Sequence, residues 1–157
     1  MRISWPAGLS PAWREGLEAF CQAVQDRLAP DCVILAGSVA DGTYCEASDL
    51  DLVVIASDLP SDFFRRLALL AELRSAGVPL EAIGYTPEEF RRMLREGHVT
   101  ALEAYHKGLP LLGEDWFETE RRSFLALMGR GLRRVKGAWI LPEEAEYTSP
   151  ENSDSEN

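Results

Sequence analysis

The sequence is poor in the residues that build disulfides and zinc sites. Its 157 residues include three cysteines, Cys21, Cys32 and Cys45, and two histidines, His98 and His106. The odd number of cysteines and the lack of a Cys-x-x-Cys pair indicate a reducing compartment and argue against a structural zinc site. We therefore expect a cytoplasmic protein that folds without covalent or metal cross-links.

Long apolar segments and an excess of positive charge are also missing. No apolar run approaches the roughly 20 residues of a membrane-spanning helix, and the N-terminus has no signal-peptide core. The formal net charge is −10, which argues against binding long nucleic acids, because their phosphate backbone requires clustered cations. The negative net charge does not argue against binding a small anionic ligand, because a helix N-terminus and one metal ion can hold it.

Charge is unevenly distributed near the C-terminus. Residues 121–136 carry five arginines and one lysine without an acid, whereas residues 143–157 carry six acids without a lysine or arginine. We interpret the basic stretch as a solvated helix face, with a patch for an acidic partner as the alternative. The sequence predicts one domain over residues 1–142 with a C-terminal helical extension, followed by a disordered acidic tail, 143–157.

Apolar periodicity and turn residues predict an α/β (α+β) fold with a small mixed sheet flanked by helices. Ser10 and Pro11 are typical of a helix start, and Thr86 to Glu89 is typical of a capping box. Strands two and three are joined through a helix, which favours a parallel pair. The predicted helices are 11–29, 61–75, 87–97, 100–107 and 114–128, and the predicted strands are 32–36, 50–56, 78–85 and 110–112.

The segment from Gly37 to Asp51 carries the pattern with the most chemical content. Gly37 ends a buried strand and permits a tight turn. Ser38 can begin a short helix whose free N–H groups and hydroxyl would bind an anion. Asp49 and Asp51 stand two apart in the next strand, so both carboxylates point to one face of the sheet.

Two adjacent carboxylates repel each other unless a cation lies between them. Mg²⁺ or Mn²⁺ could bridge Asp49 and Asp51 to a triphosphate held at Ser38, because hard cations bind carboxylate and phosphate oxygens together. Glu81, an isolated acid in an apolar strand, is the candidate third carboxylate. It could bind metal or accept the proton of an attacking hydroxyl.

The stretch from Gly37 to Ile55 reads GSVADGTYCEASDLDLVVI. It resembles the motif of minimal nucleotidyltransferases of the DNA polymerase β superfamily, which include antitoxins paired with small helical HEPN toxins. The resemblance implies a polymerase β-type fold and Mg²⁺-dependent transfer of a nucleoside monophosphate from ATP or another NTP. It also implies nucleotide-binding roles for Gly37, Ser38, Gly42 and Ser48. Many relatives carry Arg where this chain has Asp41.

The resemblance leaves the acceptor open. The chain has no large second domain to enclose a small acceptor, so we expect a hydroxyl carried by another protein, by analogy a tyrosine of a HEPN partner. The first alternative is transfer to an aminoglycoside-like molecule, for which a homodimer could supply the missing wall. The second is a catalytically silent binding module, which Asp41 and Glu81 would favour.

Overall fold

The computed structural model describes residues 5, 8–37, 50–75 and 77–142. Ser38, Gly42, Ser48 and Asp49 lie outside the described residues, as does the acidic tail 143–157. The chain divides into two compact units, Met1–Phe117 and Glu118–Asn157. In the described part of the chain, no helix is long and apolar enough to cross a membrane.

The described elements include every predicted helix and strand between residues 11 and 129, followed by two strands that were not predicted. In chain order they are α1 (Pro11–Leu28), β1 (Cys32–Ala36), β2 (Leu50–Ile55), α2 (Phe63–Leu73), β3 (Leu80–Tyr85), α3 (Pro87–Glu96), α4 (Val99–Lys107), β4 (Leu109–Leu112), α5 (Glu114–Gly129), β5 (Arg133–Val135) and β6 (Ala138–Ile140).

Side-chain caps set the helix starts. Ser10 accepts a hydrogen bond from the Trp13 N–H at 3.2 Å, and Thr86 and Glu89 form the predicted capping box. The predicted helix 61–75 is too long at both ends. Asp62 accepts the Phe64 and Arg65 N–H groups as the N-cap of α2, and the backbone is already extended at Arg74.

The four strands of the first unit form one mixed sheet in the order β3-β2-β1-β4. β2 and β3 are parallel and are joined through α2, which confirms the predicted parallel pair. β1 is antiparallel to both β2 and β4. The sheet therefore places the end of β1 and the starts of β2, β3 and β4 at one end, called here the site end.

The two faces of the sheet pack against different helices. The α1 face carries Leu35, Leu52 and Val54 in one core cluster with side chains of α1 and α2. The opposite face, called here the α4 face, is covered by α3 and α4. A Cβ added to Gly108, just after α4, would lie 2.7 Å from Ile34 Cγ2. The Tyr85, Phe90 and Tyr105 rings follow one another with centroids 5.9 and 5.5 Å apart.

The described part of the second unit contains the end of α5 and a β-hairpin. The interpretation of residues 121–136 as one helix face is wrong, because the helix ends at Gly129 and Arg133–Val135 pairs with Ala138–Ile140. Lys136 and Gly137 have φ values of 51° and 81°, which suit the two-residue turn of a hairpin. The Trp139 ring packs edge-on against Phe124 at 5.9 Å between centroids.

Candidate active site

Asp51 is the second residue of β2 and lies between two strands. Its Cα partners are Ala36 on β1 and Glu81 on β3. Its chain neighbours Leu50 and Leu52 are 0% and 2% exposed in the core of the α1 face. Because strand side chains alternate, the exposed Asp51 belongs to the α4 face.

Gly37 leaves the space that the Asp51 carboxylate occupies. Its φ is +73°, a left-handed conformation that favours glycine. A Cβ on Gly37 would lie 2.7 Å from Asp51 Oδ2, too close for an ordinary contact. The turn after β1 and the candidate metal ligand on β2 are therefore packed directly against each other.

Glu81 stands beside Asp51 on the neighbouring parallel strand. The two residues are Cα partners, and adjacent strands lie about 4.8 Å apart. Leu80 is buried at 3% exposure, so Glu81, which is exposed, belongs to the same face as Asp51. The adjacency that the sequence argument required of these strands is confirmed, while the chemical roles of both acids stay predictions.

A cavity of about 300 Å³ lies between α2 and β3, and both Glu81 and Arg74 line it. Leu67, Ala71 and Ile83 give its wall apolar surface. The Arg74 guanidinium donates a hydrogen bond to the Leu80 carbonyl at 3.0 Å. The cavity therefore adjoins Glu81 at the outer edge of β3.

The donor atoms at this position suit a hard divalent cation. Asp51 and Glu81 offer carboxylate oxygens, the ligands that Mg²⁺ prefers. No group of three His, Cys, Asp or Glu residues in the described ranges could hold a metal ion. Asp51 and Glu81 are two of the three predicted ligands, and the third, Asp49, lies outside those ranges.

The structure brings together three of the predicted site residues, Gly37, Asp51 and Glu81. The sequence did not predict that α4 would end at the site end. There, Leu109 pairs with Leu35 shortly after Lys107. The sequence contained a helix, a glycine and a short strand over this region. It gave no indication of which strand β4 would pair with.

A mixed sheet with paired acids at the site end, next to a glycine turn, defines a class of domain suited to metal-assisted phosphoryl or nucleotidyl transfer. A family model, the nucleotidyltransferase domain, matches residues 14–103. The chain belongs to this nucleotidyltransferase domain family. No curated protein is significantly similar to it in sequence.

Three solved structures are similar to this chain. A toxin-antitoxin with AMP-PNP is 17% identical with a TM-score of 0.50, over 71% of this chain and 86% of that one. A mutant of the MntA-HpeT toxin-antitoxin is 15% identical with a TM-score of 0.49, over 71% and 86%. A putative nucleotidyltransferase from Sulfolobus solfataricus is 18% identical with a TM-score of 0.41, over 55% and 84%. The first similarity supports a polymerase β-type fold.

Proposed function

We propose that this chain transfers a nucleoside monophosphate, AMP from ATP, to a hydroxyl group on a protein acceptor, with Mg²⁺ as the cofactor. The observation that carries the proposal is the register pair of Asp51 and Glu81 on one face, against the turn at Gly37. Bound Mg²⁺ would neutralise phosphate charge as it develops. The buried free thiols Cys21 and Cys32 agree with a cytoplasmic site of action.

The residues of the proposed site have separate roles in the reaction. Asp49 and Asp51 bind metal, and Gly37, Ser38, Gly42 and Ser48 hold the nucleotide phosphates. The acceptor oxygen forms a bond to the α-phosphorus while the bond from that phosphorus to the bridging oxygen breaks and pyrophosphate leaves. Glu81 accepts the acceptor's proton or contributes to metal binding.

The protein acceptor is supported by the site's surroundings. Asp51 and Glu81 are both exposed, and the adjoining cavity has an apolar wall. A partner protein could bring its hydroxyl to this surface. The structural relative with AMP-PNP is a toxin-antitoxin, so we infer an antitoxin role with a tyrosine of a HEPN-type partner as acceptor.

Calorimetry tests the metal site first. Mn²⁺ should bind the wild-type protein, and the double substitution of Asp49→Asn and Asp51→Asn should abolish this binding, since it removes both strand carboxylates. Equal Mn²⁺ affinity in the two proteins would refute the site.

Transfer is tested with α-³²P-labelled ATP and Mg²⁺, with a HEPN-type protein as the candidate acceptor. Label should move to the partner and disappear when the acceptor tyrosine is changed to Phe. Label on an aminoglycoside instead would establish the small-molecule alternative. Inhibition of the partner without any labelled product would indicate a silent binding module.

A further inference from the structure

The second unit carries positive charge without acids nearby in the chain. Residues 121–142 contain five arginines, one lysine and no Asp or Glu. Arg130, Arg133 and Lys136 are exposed, and no ion pair joins them to another residue in the described part of the chain. Because like charges on a short segment repel each other, this surface favours a negatively charged occupant.

The register of the β5–β6 hairpin, called here the basic hairpin, separates its two faces. Trp139, the Cα partner of Arg134, packs on Phe124 of α5. Because strand side chains alternate, Arg133 and Val135 belong to the opposite face. Both residues are exposed, Val135 at 44%. The basic hairpin therefore has an outer face that combines a guanidinium with apolar surface, and Lys136 lies in its turn.

The acidic tail begins at the base of this hairpin. Ile140 is the Cα partner of Arg133, so the chain leaves β6 beside Arg133 and enters the tail after Pro142. Residues 143–157 contain six acids and no Lys or Arg, which matches the six cations of residues 121–142. An extended chain advances about 3.3 Å per residue, so about four residues span the hairpin from its base to Lys136. The tail is long enough to turn back along the hairpin.

The covalent connection favours the chain's own tail over other acidic segments. A short flexible tether gives an effective concentration in the millimolar range, which an acidic segment of another protein would have to exceed. Weak contacts between solvated charges therefore suffice to hold the tail. Such contacts are screened by salt and contribute little to the free energy of unfolding, so docking agrees with a tail that is dispensable for folding.

We propose that the acidic tail docks on the basic hairpin of its own chain and screens it from other anionic partners. The first acids of the tail pair with the arginines at the base of the hairpin, and later acids pair with Lys136 at its turn. The docking is independent of the proposed transfer reaction.

Carbodiimide crosslinking of the full chain tests the docking, because it joins a lysine amine to a carboxylate in direct contact. The chain has two lysines, Lys107 and Lys136. Peptide mass spectrometry should find Lys136 joined to residues 143–157 about tenfold more often than Lys107, the matched control, which is an exposed lysine of the first unit. The Lys136 crosslinks should disappear in about 0.5 M NaCl, which screens the charges. Equal crosslinking of both lysines to the tail would overturn the proposal.

Dilution distinguishes docking within one chain from exchange of tails between copies. The yield of the Lys136 crosslink should stay constant over an about 100-fold dilution, because the effective concentration of a tethered segment does not depend on protein concentration. A yield that falls with dilution, together with crosslinked dimers, would assign the tail to a second copy and overturn docking within the chain.

The screening is tested with a synthetic peptide of residues 143–157 and a full-length variant whose six tail acids are replaced by Gln or Asn. By fluorescence anisotropy, this variant should bind the peptide about tenfold or more tightly than wild type does, because its own tail no longer competes. Equal peptide affinity in the two proteins would show that the tail does not cover the basic hairpin.

Discussion

At the scale of single residues, the position of the Asp51 carboxylate depends on the absence of a side chain at Gly37. Two separate effects oppose any larger side chain at this position. The left-handed backbone disfavours a Cβ by about 1–2 kcal/mol, and that Cβ would lie 2.7 Å from Asp51 Oδ2. At Gly77 only the backbone effect operates. Its φ is +85°, and nothing lies within 4 Å of an added Cβ.

Gly37→Ala should therefore lower stability and also Mn²⁺ affinity, because Asp51 must move to admit the methyl group. Gly77→Ala should lower stability by a similar 1–2 kcal/mol and leave Mn²⁺ affinity unchanged. Thermal denaturation and metal titration of both variants provide the comparison. Equal metal affinity in the two variants would show that the contact with Gly37 does not position the carboxylate.

Glu81 is tested by removing its charge while its volume is kept. Glu81→Gln should lower the transfer rate about 10²-fold or more if the carboxylate takes the acceptor's proton. It should also raise the metal-free melting temperature slightly, because like charges on neighbouring strands destabilise a sheet by roughly 0.2–1 kcal/mol. Glu72→Gln, at an exposed position of α2, is the control. A rate and melting temperature equal to those of the control would remove Glu81 from the site.

Some of these residues could be identified from the sequence and others could not. Gly37 and Asp51 belong to one local motif, so their spacing alone indicated the chemistry. Glu81 required the assumption that β3 lies beside β2, which the register confirms. The position of the C-terminal end of α4 at the site end gave no local signal, because it depends on the long-range pairing of β4 with β1.

At the scale of elements, the outer edge of β3 is occupied by two arginines, Arg66 of α2 and Arg74 just after it. The Pro79 and Tyr85 carbonyls accept hydrogen bonds from the Leu50 and Ala56 N–H groups, so the alternate carbonyls of β3 point away from the sheet. Arg74 binds the Leu80 carbonyl and Arg66 binds the Gly84 carbonyl. Such capping protects an edge strand from pairing with another chain.

Arg66 also connects α2 to the start of α3. It is 6% exposed and forms an ion pair of 2.6 Å with Glu89, the residue of the capping box whose carboxylate accepts the Thr86 N–H at 2.8 Å. Partial burial alone would raise the pKa of the Glu89 carboxyl. The hydrogen bonds from Arg66 and Thr86 outweigh that effect and hold the pKa below its ordinary value of 4.5.

This pKa shift predicts how stability depends on pH. A carboxyl whose pKa is lower in the folded state contributes stability above its unfolded pKa, and that contribution is lost as pH falls through the folded value. Glu89→Gln should thus cost about 1 kcal/mol at pH 7, a figure reduced for solvent screening, and progressively less below pH 4.5. Urea denaturation from pH 7 to pH 3 measures the trend.

Glu88→Gln is the matched control, because Glu88 lies next to Glu89 in the same helical turn and is exposed. The pH dependence of its stability should remain close to that of wild type. If Glu89→Gln and Glu88→Gln lost the same stability at every pH, the pair with Arg66 would contribute nothing measurable.

Element boundaries show which local signals are reliable. The capping box at Thr86 and the Ser10–Pro11 start were predicted, because their donors and acceptors lie within four residues. The β5–β6 hairpin was missed. Its turn, Lys136-Gly137, lacks the Asn or Asp that usually precedes glycine in such a turn, and the surrounding basic residues are equally common on a solvated helix.

At the scale of the whole molecule, the acidic tail should be dispensable for folding. Residues 143–157 contain six acids and no apolar periodicity, so they offer little surface to bury. A chain ending at Pro142 should keep the melting temperature of the full chain within about 2 °C, since surface changes stay near 0.5 kcal/mol. A larger decrease in differential scanning calorimetry would show that the tail packs on the folded domain.

The two buried thiols report on the stability of the whole fold. Cys21 and Cys32 are 0% exposed. Burial, with a smaller contribution from Glu18, raises the pKa of the Cys21 thiol to about 12. Burial, with a smaller contribution from Asp31, likewise raises the pKa of the Cys32 thiol. Alkylation requires an accessible thiolate, so both thiols should react only when the protein unfolds.

Iodoacetamide labelling of a Cys45→Ser variant at pH 7.5, followed by peptide mass spectrometry, tests this expectation. Under native conditions, Cys21 and Cys32 should be labelled slowly and at the same rate. In urea, both should be labelled immediately. Mg²⁺·ATP at about 100 times its Kd should slow labelling about 100-fold, because a ligand that binds only the folded state stabilises it by about 2.7 kcal/mol. Rapid labelling of either thiol under native conditions would contradict the packing of α1 on β1. A rate that Mg²⁺·ATP leaves unchanged would contradict the nucleotide site, because the thiols lie outside it and report its occupancy only through global stability.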